Sequence, residues 1–163
     1  MTLTRVNRFS RRSFLVGGLC LAAAPAYPAA ARGEKAKMTP TTFQPGQLWQ
    51  YRTRASEPRS RILIQRVEQH EKLGEIVHIR VTSLVFKGSK GNIDVLPHLP
   101  YSGTELRKSL TKLESSGNGV PSDYLDGYKV WREAFDAGKA GIFTADVASV
   151  IDGMEKGLAN HDR

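Results

Sequence analysis

The chain has 163 residues, with 24 basic against 16 acidic side chains and a single cysteine. Four of the basic residues (Arg5, Arg8, Arg11, Arg12) precede Phe14, so the rest carries 20 against 16, a formal +4, and shows no dense Lys/Arg block of the kind that nucleic-acid binding needs. Cys20 lies in an N-terminal apolar run, which leaves everything after it without a disulfide, a thiol nucleophile, a cysteine-ligated cluster or a c-type haem attachment.

The N-terminal segment joins an arginine-only start to eighteen uncharged residues, 14–31. Gly17, Gly18 and the alanines of residues 22–31 make this run mild, and Pro25 and Pro28 break a continuous helix. An uncleaved anchor is the rival reading, because eighteen residues just reach spanning length. Ala29 and Ala31 fit the A-x-A rule and place a cleavage after Ala31. The stretch Ser10-Arg11-Arg12-Ser13-Phe14-Leu15-Val16 resembles a twin-arginine signal, whose pattern is Ser-Arg-Arg-x-Phe-Leu-Lys, departing only at Val16. With Arg11, Arg12, Phe14 and Leu15 as its core, the resemblance implies export of a folded protein by the twin-arginine translocase. Signal peptidase would then remove the segment, leaving a periplasmic or secreted bacterial protein with no stable membrane anchor. The expected organisation is a signal over 1–31, a flexible Pro/Thr/Lys-rich leader over 32–45 and one domain over 46–160.

Within that domain, Trp49, Tyr51 and Thr53 alternate with Gln50, Arg52 and Arg54, which predicts a strand over 47–54. A second strand is expected over 61–68 on Ile62, Leu63, Ile64 and Val67. A third starts at Ile76, with Val77, Ile79 and Val81 against His78, Arg80 and Thr82. The three form an antiparallel meander with one buried face. Ser102 and Glu105 have capping-box spacing and predict a helix lined by Leu106, Leu110 and Leu113. Tyr124, Tyr128, Trp131 and Phe135, at i, i+4, i+7 and i+11, predict a second helix whose aromatic stripe is core and which stops before Gly138. Thr144 is the expected cap of a third helix carrying Val147, Val150, Ile151, Met154 and Leu158. Strands followed by helices read as α+β: a small antiparallel sheet of three or four strands with about three helices packed on one face.

The chemistry is sparse. His98, braced by Pro97 and Pro100 and set just ahead of a helix start, is the first candidate for a ligand site. His78, Arg80, Arg52 and Arg54 join it if the polar sheet face is shared, because guanidinium groups bind carboxylate or phosphate bidentately. The competing reading is a solvated face whose charges pair with Glu68 and helix acids. His70, His78, His98 and His161 lack HxxxH and HExxH spacing, so neither a metal nor a cofactor is expected, and nucleotide and hydrolase motifs are absent. The segments 46–54, 98–102 and 127–144 resemble those of a family of short exported bacterial proteins with no assigned activity, a resemblance that implies no catalytic residue. The expectation is a non-enzymatic domain that binds a small anionic ligand or a protein partner. The alternative is a small hydrolase or lyase with His98 as general base and Arg80 or Arg52 as anion clamp.

Overall fold

The computed structural model describes residues 42–88 and 91–161. The export segment, with Arg11, Arg12, Phe14 and Leu15, and residues 32–41 of the expected leader lie outside them. The fold is α+β. Five antiparallel strands, β1 (Leu48–Tyr51), β2 (Arg61–His70), β3 (Gly74–Thr82), β6 (Leu96–Ser102) and β7 (Leu110–Ser115), form a sheet in the order β6-β3-β2-β1-β7. β4 (Phe86–Gly88) and β5 (Gly91–Ile93) pair as a separate ribbon. Three helices complete the domain: α1 (Gly103–Ser109), α2 (Tyr124–Asp136) and α3 (Val147–His161). Among the described residues no helix is long and apolar enough to cross a membrane.

The β2–β3 hairpin organises the sheet, turning at Gly74, whose φ of 70° suits a residue without a Cβ. Ile62 faces Val81 and Ile64 faces Ile79, and a bulge then inserts Gln65, so that Arg66 comes opposite His78 and Val67 opposite Val77. One extra residue reverses the side-chain phase of the strand beyond it. Ile62, Ile64, Val67, Val77, Ile79 and Val81 therefore share one apolar face, while Arg66 and Glu68 are re-aimed onto the other, beside His78.

The apolar face packs against Leu106 of α1, Leu110, and Val147 and Ile151 of α3, all buried, with Leu99 and Tyr101 extending the same core on β6. α2 takes the opposite face, where Trp131 sits against His78. The sheet thus has helices on both sides, two on the apolar face and one on the polar one.

Several boundaries differ from the sequence expectation. The first strand stops at Tyr51 because the chain leaves the ladder there: the Arg52 N–H donates to the Ser109 carbonyl, and turns follow. The helix expected to run through Leu110 and Leu113 ends at Ser109, since Leu110 adopts an extended backbone (φ −70°, ψ 150°) and pairs with Tyr51. Sheet pairing at an otherwise open edge outweighs helical spacing. Ser102 makes no side-chain cap, and its N–H goes to the Phe143 carbonyl at 3.0 Å. Asp146, not Thr144, caps α3, its Oδ1 accepting the Ser149 N–H at 3.0 Å.

Candidate functional site

The predicted site residues separate into two groups. His78 and His98 come together. His98 lies in strand β6, whose Pro97 and Pro100 are tolerated because β6 is a sheet edge. Its Nε2 is 2.9 Å from Nδ1 of His78, the rings nearly parallel with centroids 5.1 Å apart. His78 is fully buried, and its second nitrogen, Nε2, has no hydrogen-bond partner but faces Glu68 Oε2 at 3.8 Å. Glu68 is held from three sides. Tyr128 Oη donates at 2.5 Å and Arg66 Nε at 2.6 Å to Oε1, and Arg132 Nη1 reaches Oε2 at 3.1 Å. The result is a line, Glu68–His78–His98, running between the sheet and α2.

α2 seals this line with its aromatic stripe. Tyr128 and Trp131 stand edge-on to His78 at 5.1 and 4.8 Å, and Tyr124 lies 6.4 Å from His98. Trp131 is buried and donates from Nε1 to the Gly141 carbonyl at 2.8 Å; Tyr124, Tyr128 and Phe135 are half-buried. Gly127 lets the helix approach, for a Cβ there would stand 3.2 Å from His98 Cβ.

Burial sets the protonation states. It drives His78 down to about 4, with His98 adding to the shift and Glu68 opposing it, and burial alone lowers His98. For Glu68, burial pushes upward, but the hydrogen bonds from Tyr128 and Arg66 outweigh it and hold the carboxyl below its usual range. Near neutrality the line is therefore a carboxylate beside two neutral imidazoles, one donating to the other. A metal would need these donors to converge, yet Glu68 and His98 address opposite nitrogens of the His78 ring. Among the described residues no cluster of three or more His, Cys, Asp or Glu could hold a metal ion.

The arginines do not complete an anion clamp around His98. Arg80 shares the His78 face, but its Nη1 is chelated by both oxygens of Asp123 at 2.7 and 2.6 Å. Arg52 donates to the Lys108 carbonyl. Arg54 turns to α3 instead. Its Nε and Nη2 grip both oxygens of Glu57 at 2.9 Å, while Nη1 reaches Asp152 at 3.0 Å and Glu155 at 2.6 Å. That grip raises the Arg54 pKa further above its already high value.

Glu57 leads to a feature that no motif announced. Its side chain is fully buried, and Oε2 also accepts the Val85 N–H at 2.9 Å, tying the loop after β1 to the segment after β3. Between these segments lies an open cleft of about 400 Å³, lined by Ser56, Glu57, Pro58, Arg59, Ser83, Leu84 and Val85. Ser83 holds φ 54°, the one positive φ outside glycine among the described residues. Such conformations cost of order 1–3 kcal/mol and persist where the surroundings enforce them. Arg59 is exposed at the cleft and has no ion-pair partner among the described residues. The sequence signal for it was slight: a Ser-Glu-Pro-Arg turn with an acid between two breakers.

No protein-family model matches the chain, and no curated protein or solved structure is significantly similar to it.

Proposed function

We propose that this chain is an exported, non-enzymatic binding domain that takes a small anion, a phosphate or carboxylate, in the cleft between residues 56–59 and 83–85. The observation that carries this reading is the contrast between the two sites. At the cleft a buried ion network fixes the walls, strain is held at Ser83, and Arg59 offers a guanidinium with no ion-pair partner among the described residues. On the polar sheet face the expected clamp is already taken: His98 Nε2 pairs with His78 and Arg80 with Asp123, while Arg52 donates to a backbone carbonyl elsewhere. The occupied arginines count against the alternative of a hydrolase or lyase with His98 as base, which needs an anion clamp free to meet a substrate.

Melting the full chain in phosphate against chloride at matched ionic strength tests the proposal. Phosphate should raise the Tm in proportion to occupancy of the native state, and Arg59→Ala should abolish the rise while leaving the melt in chloride unchanged. An equal rise in Arg59→Ala would defeat it. Export is a separate element of the proposal, supported by Arg11, Arg12, Phe14 and Leu15. Replacing Arg11 and Arg12 by lysine should leave the protein in the cytoplasm, and undiminished export would contradict a twin-arginine route.

A further inference from the structure

We propose that the Glu68–His78–His98 line is an acid-sensitive latch that holds α2 on the polar face of the sheet at neutral pH and lets it go when both imidazoles are protonated.

The geometry supports one extra proton and not two. With both rings neutral, one imidazole N–H donates across the 2.9 Å gap between His78 Nδ1 and His98 Nε2. A single added proton keeps that bond, since a charged ring still donates to a neutral one and Glu68 faces the far nitrogen of His78. A second proton sets N–H against N–H across the same gap and places two cations in stacked rings.

The surroundings then resist the charge. Facing the pair are Arg66 and Glu68 from β2 and Arg80 from β3, and from the α2 side Tyr124, Tyr128, Arg132 and the Asp123 carboxylate bound to Arg80. Among the described residues Glu68 is the one carboxylate in contact with His78, and it is already shared between Arg66 and Arg132. His78 is enclosed by Tyr128 and Trp131, so water does not reach the new charge until α2 moves. Displacing α2 hydrates both rings and relieves the repulsion.

The direction follows from linkage. An imidazole whose pKa is lower in the closed form than in the released form binds more protons when released, so acid favours release. The hold is complete above about pH 6.5, the free imidazole value. It is lost as pH falls through the folded value of about 4 for His78.

The chain has two tryptophans, Trp49 in the apolar core and Trp131 in the latch, so Trp49→Phe leaves Trp131 as a single reporter. Its emission should change on acidification with a midpoint at higher pH than the loss of the β2 and β3 amide NMR signals, which follow the sheet. Coincident midpoints, or no emission change down to the pH of global unfolding, would overturn the latch. His98→Gln keeps a donor for His78 Nδ1 but takes no second proton, and should shift the Trp131 transition to lower pH; an unchanged transition counts against the proposal. Imidazole NMR of the unaltered chain applies the same test without a substitution. The two rings should not both be protonated until the Trp131 environment changes, and double protonation of His78 and His98 with α2 still docked contradicts the latch.

Discussion

Replacing Glu57 by alanine tests how the cleft is built. The Glu57 side chain is fully buried and accepts three hydrogen bonds, two from Arg54 and one from the Val85 amide. Removing it strands the Val85 N–H and leaves Arg54, whose side chain is 10 % exposed, with Asp152 and Glu155 at 50 % and 33 % exposure. Removing one partner of a buried pair costs about 3–5 kcal/mol. The two remaining acids keep part of the Arg54 charge compensated, which places the expected loss near the lower end, about 3 kcal/mol. A domain of this size has about 5–15 kcal/mol in hand and stays folded. Urea unfolding of the full chain, followed by CD, measures the loss as a lower midpoint at unchanged slope. Removing both charges with Arg54→Leu and Glu57→Leu together should cost less than the sum of the single changes, because neither ion is then left without its partner. A loss under about 0.5 kcal/mol for Glu57→Ala, typical of an exposed site, would refute the buried network and with it the fixed cleft wall.

Trp131→Ala should cost about 3–5 kcal/mol by the same measurement, since it empties the centre of the α2–sheet contact; a loss under about 0.5 kcal/mol would put that face in solvent. Two helical glycines should respond with opposite signs. Gly127→Ala brings a Cβ to 3.2 Å from His98 Cβ, where His98 is held by His78 and flanking prolines, and should destabilise by about 1 kcal/mol despite better helix propensity. Gly153→Ala in α3 meets open space and should stabilise by about 0.5–1 kcal/mol; equal effects at both sites would argue against the close approach of α2 to β6.

Strong periodicity made the β2–β3 hairpin, α2 and α3 legible in the sequence. β6 was obscured by Pro97 and Pro100, which read as loop until the edge position makes them acceptable. β7 was hidden because Leu106, Leu110 and Leu113 follow helical spacing, and a long-range partner, β1, decides the backbone of Leu110 and Leu113 instead. Alternation assigned His78 to the side away from the apolar core and did not reveal that α2 covers that side. The bulge at Gln65, which brings Arg66 and Glu68 to His78, left no turn residue in the sequence to mark it. The pairing of His78 with His98 depends on β3 and β6 being neighbours, twenty residues apart in the chain. The cleft is less legible still, for its walls are two short segments joined by one buried carboxylate.

Mapping inorganic phosphate onto the full chain by heteronuclear NMR tests the binding proposal most directly. Saturable millimolar shifts are expected at the Arg59 guanidinium and the Ser83, Leu84 and Val85 amides, with His78, His98 and Arg80 unmoved. Shifts centred on His98 and Arg80, or none at the cleft in tens of millimolar phosphate, would contradict it.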